Sequence, residues 1–214
     1  MVNKTKSAFT LAEVLITLVI IGIVAALTIS AVINTYVERT TISKVKKGLS
    51  TLAQAKKLAE AQNGSVVGWD YGDGWSAQTA TDFWKYLKPY ISVAKDCGAS
   101  TDCYHSYVKG LNGSNCGSYG TEDIYYKFVL ADGGVMWFRT ENKCTFANNY
   151  SCALFFYDVN GGKKPNVVGK DVFSYRFYPD SVIPYPINEC NKDTVGWGCA
   201  NYIIKNDNMN YLHQ

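Results

Sequence analysis

The sequence predicts an α+β fold: a long N-terminal helix, membrane-spanning in its first half, packed on a small antiparallel β-sheet domain with disulfide-braced loops. Three observations carry it. Residues 14–33 read VLITLVIIGIVAALTISAVI, without a charge. No proline interrupts the chain before Pro89. All seven cysteines lie beyond the apolar run, in a stretch where Tyr, Trp, Asn and Gly become common.

Composition narrows the function classes. Of 214 residues, 47% are hydrophobic and 18% charged, too apolar for a disordered chain. A formal net charge of +3 is too weak to indicate a nucleic-acid partner. The charge is also segregated: residues 63–214 carry 13 basic and 15 acidic groups, so all the excess positive charge lies in the first 62 residues. Two chemically different halves are joined.

As a helix, the 14–33 run extends about 30 Å, one bilayer core. Lys4 and Lys6 precede it, which by the positive-inside rule places the N-terminus in the cytoplasm and everything after residue 33 across the membrane. Lys44, Lys46 and Lys47 follow it and reduce that asymmetry. A secretory signal cut after Val24-Ala25-Ala26 is the competing reading, but the run is longer than such a signal needs. Glu13 stands at its edge, where a carboxylate has a cost and asks for a reason. The helical pattern continues through Ile42, Val45, Leu49, Leu52 and Ala59, an apolar stripe that the sheet buries, and Asn63-Gly64 ends it.

Beyond the helix, residues 81–91 predict a short helix capped by Thr81 or Asp82 and closed near Pro89. Residues 124–130 and 135–140 flank Ala131-Asp132-Gly133-Gly134, a hairpin signal. Strands follow at 153–159 and 172–178, and a short helix or turn around Tyr202, Ile203 and Ile204 closes the chain. The cysteines fit an oxidising compartment. Near neighbours pair Cys97 with Cys103, Cys144 with Cys152 and Cys190 with Cys199, leaving Cys116 free; Cys116 paired with Cys97 or Cys103 is the alternative.

Two stretches hold residues of the types that carry chemistry. In 158–171, Asp158, Asn160 and Asp171 place oxygens around turn-forming glycines, a donor set suited to calcium. It is no EF-hand, since Lys163 and Gly169 occupy the positions of its glycine and bidentate Glu. The alternative is a connection in which Asp158 and Asn160 cap backbone amides. Catalysis has little support: the two histidines are His105, near Asp102, and His213, one residue from the end, and no nucleophile with a base within reach is evident. The chain is expected not to be an enzyme.

The segment Ala8-Phe9-Thr10-Leu11-Ala12-Glu13, followed by VLITLVIIGIVAALTI, resembles the prepilin cleavage and methylation signal of type IV pilins and type II secretion pseudopilins. One position departs, Ala8 standing where the family usually has Gly. The resemblance implies that a prepilin peptidase cuts between Ala8 and Phe9, that the Phe9 amine is N-methylated, and that Glu13 neutralises the terminal amine of a neighbouring subunit in a helix bundle. It also implies a leader at 1–8, a transmembrane half-helix at 9–33, an amphipathic half at 34–62 and an extracytoplasmic β-rich domain at 63–214. The expected partners are the peptidase, copies of the chain, other pilin-like subunits and the bacterial inner membrane, with the mature domain periplasmic or extracellular in a filament. The 158–171 loop is similar to one in proteins that carry this signal, some of which bind calcium. A signal-anchored extracytoplasmic binding module, with calcium as its candidate ligand, is the alternative from another class.

Overall fold

The structure, a computed structural model, describes residues 9–99, 103–104, 107–117, 122–147 and 150–213. Its element order is α1 (Leu11–Asn63), α2 (Ala77–Leu87), β1 (Val93–Gly98), β2 (Tyr126–Leu130), β3 (Val135–Thr140), β4 (Ala153–Asp158), β5 (Val172–Phe177), β6 (Val182–Pro184) and α3 (Cys199–Asn206). The six strands form one antiparallel sheet in sequential order, β1 to β6. The chain is α+β.

Two compact units divide at Thr40/Thr41, inside α1. In the first, Met1–Thr40, the helix residues with described side chains are almost all exposed, as a helix meant for lipid or for other helices is when seen alone. Length and composition make α1 the one candidate membrane span among the described residues.

In the second unit, Thr41–Gln214, the remainder of α1 packs on the sheet. Its buried positions are Thr41, Val45, Gly48, Leu52, Ala55, Lys56 and Ala59, alternating largely by four and three. Ile42 and Leu49, expected in the stripe, flank it half-buried. The centre is Gly48 instead: a Cβ there would stand 2.9 Å from the Tyr157 ring and 3.1 Å from the Tyr175 hydroxyl, so glycine is what lets helix and sheet touch. The Tyr175 hydroxyl donates to the Val45 carbonyl at 2.9 Å. The lysines that dilute the N-terminal charge asymmetry are docking groups: Lys44 donates to the Val159 carbonyl, Lys46 pairs with Asp207 and Lys47 with Asp132.

The strands alternate with period two between two cores. Met136, Phe138, Phe155, Tyr157, Phe173, Tyr175 and Phe177 join the helices' core. Val135, Trp137, Leu154, Phe156 and Val172 join a second core on the opposite face, covered by Tyr104, Val108 and Tyr125 from the irregular chain before β2. Lys127, also on that face, is fully buried, and its ammonium donates to the carbonyls of Ala99, Glu122 and Tyr125 at 3.3, 2.8 and 3.0 Å. Burial lowers its pKa to about 8.

Three expectations need correcting. The helix expected at 81–91 is α2, starting four residues earlier because Ser76 and Thr79 form a reciprocal capping box, and a single 3-10 turn, Lys88–Tyr90, contains Pro89. α1 begins at Leu11 rather than Phe9. The edge strands β1 and β6 lie outside the four expected strands. The compact division falls within α1, between Thr40 and Thr41.

Candidate functional site

Phe9 and Thr10 precede the first turn of α1, and Phe9 is 87% exposed. Thr10 donates from both its backbone nitrogen and its hydroxyl to one oxygen of Glu13, each at 2.8 Å, and the Glu13 nitrogen returns a bond to the Thr10 hydroxyl at 3.3 Å. This Thr-x-x-Glu capping box satisfies donors that the first turn of a helix otherwise leaves open. The Thr-x-x-Glu pattern is present in the sequence, but the ion-pair role expected of Glu13 does not call on it. The uncut chain has a peptide nitrogen at residue 9, so the nearest donors are those of Thr10. Ala8, the other side of the expected cut, lies outside the described residues, as do Asp102 and His105.

The polar loop beyond β4 is a closed hydrogen-bonded turn. Asp158 accepts from the Tyr104 hydroxyl at 2.9 Å and from the Asn160 nitrogen at 3.0 Å. Asp171 accepts from the Asn166 and Val167 nitrogens at 2.8 and 2.6 Å, and from the Asn160 side-chain amide at 2.9 Å. Burial, reinforced by the neighbouring Asp171, pushes Asp158 up to about 6. Burial also raises Asp171, against the hydrogen bonds that hold it down. As arranged, both carboxylates are engaged by N–H and O–H donors, and Asn160 turns its amide nitrogen toward Asp171 while its Oδ1 is buried with no hydrogen-bond partner. No group of three His, Cys, Asp or Glu side chains among the described residues is set to hold a metal.

The structure joins Cys97 to Cys103, Cys144 to Cys152 and Cys190 to Cys199, with Cα separations of 6.0, 4.6 and 4.9 Å. Cys116 is free and half-buried, its thiol pushed up by burial.

An exposed apolar helix, headed by a single carboxylate and continuing into a disulfide-bearing sheet unit, defines a pilin-like precursor; residues 3–29 match the prokaryotic N-terminal methylation motif, the prepilin-type cleavage and methylation signature. Residues 31–210 match the family described as "Family of unknown function (DUF6613)", and the chain belongs to it. No curated protein and no solved structure matches the chain.

Proposed function

We propose that the chain is a structural subunit of a type IV pilus or type II secretion pseudopilus. A prepilin peptidase cuts it between Ala8 and Phe9, Phe9 is N-methylated, and the protein sits in the bacterial inner membrane with its N-terminus cytoplasmic until assembly. There it joins copies of itself and other pilin-like subunits through α1.

The observation that carries this reading is the methylation motif at the head of a helix whose apolar residues are exposed among the described residues. Such a helix is tolerated in lipid but gains packing against others. Cleavage creates an amine at Phe9; two charges costly in lipid, that amine and the Glu13 carboxylate, are then neutralised by pairing across subunits. The capping box supports the exchange, since it holds Glu13 at the helix start and is replaceable, donor for donor, by an incoming ammonium.

Mass and N-terminal sequence of the protein isolated from native membranes test it. N-methylated Phe9, together with loss of inter-subunit cross-links in Glu13→Ala, is expected. A mature chain starting near Leu27, or cross-linking indifferent to Glu13→Ala, overturns the proposal.

A further inference from the structure

The loop that joins β4 to β5 carries charge of one sign at its surface. Residues 159–170 hold Lys163, Lys164 and Lys170 and no acidic residue, and residues 107–117 hold Lys109 and no acidic residue. The two segments are joined through backbone. The Lys109 nitrogen donates to the Asn166 carbonyl at 3.0 Å, and its carbonyl accepts from the Val168 nitrogen at 2.8 Å. Lys109 thereby pairs with Val167, three positions from both Lys164 and Lys170. Val108 and Val168 turn inward and are fully buried, so Tyr107 and Lys109 turn outward, Tyr107 being 68% exposed.

The four lysines are exposed, whereas Asp158 and Asp171, which bound the loop, are buried and held by the hydrogen bonds of the turn. Among the described residues, Lys109, Lys164 and Lys170 take part in no ion pair. Asp193, exposed beside Thr194, whose carbonyl takes the Asn112 nitrogen, stands at the margin next to Lys192 and does not balance them. The position of this surface is fixed by α1. Lys44 donates to the Val159 carbonyl at the root of the loop, at 2.6 Å, and Gly161 approaches the Gly133 carbonyl of the β2–β3 hairpin too closely for a Cβ to fit. The Tyr211 hydroxyl donates to the Gly169 carbonyl at 2.7 Å, while Lys46 holds Asp207 and Lys47 holds Asp132. Loop, hairpin and C-terminal turn are thus gathered round residues 44–47 of α1. Lys44 follows the uncharged 14–33 run by eleven residues, about 16 Å along a helix.

We propose that Tyr107, Lys109, Lys164 and Lys170 form a docking surface for anionic phospholipid, which seats the globular unit on the membrane that holds α1; the inference rests on the anchored subunit described under Proposed function. Ammonium groups take the lipid phosphates, and an amphipathic tyrosine ring suits the headgroup layer. Each lysine near an anionic surface strengthens adhesion roughly fivefold, so three together give on the order of a hundredfold, and salt screens the effect. The chain's own anchor supplies the planar anionic partner at high effective concentration, whereas a folded acidic partner would have to be met by diffusion.

The test uses the full-length chain in nanodiscs of phosphatidylcholine, alone or with about one third phosphatidylglycerol, and reads the acetylation rate of each lysine by mass spectrometry. With phosphatidylglycerol at low salt, Lys109, Lys164 and Lys170 are expected to react at least about fivefold more slowly than in phosphatidylcholine, and about 0.5 M salt is expected to restore them. Lys57 and Lys143, exposed elsewhere, are expected to change less than about twofold. The surface double variant Lys109→Glu with Lys164→Glu is expected to lose the protection of Lys170. Equal rates in the two lipids overturn the proposal, as does equal slowing at Lys57 and Lys143, or unaltered protection of Lys170 in the double variant. Each of those results leaves the anchored subunit standing. A chain that does not co-elute with either disc overturns the anchor, and the docking surface with it.

Discussion

Replacing Asp158 by Asn removes a carboxyl that the fold holds at a raised pKa of about 6, mainly by burial and then by the nearby Asp171 charge. An unfolded Asp titrates near 3.9, so the folded state binds the extra proton between those values. A group raised in this way gives stability that is fully present below pH ~4 and is lost as pH rises through about 6. Two units of difference correspond to about 3 kcal/mol between pH 4 and pH 8. The amide keeps an acceptor for the Asn160 nitrogen and leaves the Tyr104 hydroxyl free to reverse its bond, so the geometry survives. The measurement is chemical denaturation of the parent and Asp158→Asn chains at several pH values from 4 to 8. Subtracting the profiles cancels the opposite contribution of carboxylates that partners hold below their usual range, Asp96 beside Lys88 and Asp132 beside Lys47 among them. The variant is expected to gain on the parent by about 3 kcal/mol as pH rises, with the change centred between pH 4 and 6. Parallel profiles would refute the argument, because Asp158 would then titrate alike in both states.

Further outcomes follow from packing and from the loop. Gly48→Val drives its side chain into the Tyr157 ring and the Tyr175 hydroxyl and is expected to cost about 2 kcal/mol, lowering the melting temperature by several degrees in differential scanning fluorimetry. Millimolar calcium is expected to leave the melting temperature within about 1 °C; occupancy a hundredfold above Kd would add about 2.7 kcal/mol, so a shift of several degrees would show that a cation displaces the turn's hydrogen bonds.

Sequence patterns reveal elements with a strong period and miss those held by distant contacts. The apolar run and the stripe after it announce α1, and Ala131-Asp132-Gly133-Gly134 announces the β2–β3 hairpin. β1, VAKDCG, is an edge strand whose Ala94, Lys95 and Asp96 are all exposed residues, and β6 ends in Pro184, so neither shows an apolar alternation. Gly48 looks like a helix defect until Tyr157 and Tyr175, more than a hundred residues on, are brought against it. The Thr10–Glu13 box was legible, yet an ion-pair reading of the carboxylate obscured it. Lys109 and Lys164 lie 55 positions apart, and no local pattern connects a lysine in one irregular segment to those of a remote loop.

The strictly sequential order of the six strands bears on how the unit is built. Every strand after the first pairs with the one made just before it, so within the sheet no strand waits for a late one to complete its ladder, although the loop segment around Lys109 and Leu111 bonds to residues 166–168 and 195. A chain threaded residue by residue through a translocation channel can therefore close its sheet progressively, and each new edge stays unpaired only until the next strand arrives. Export and folding are matched in direction by topology.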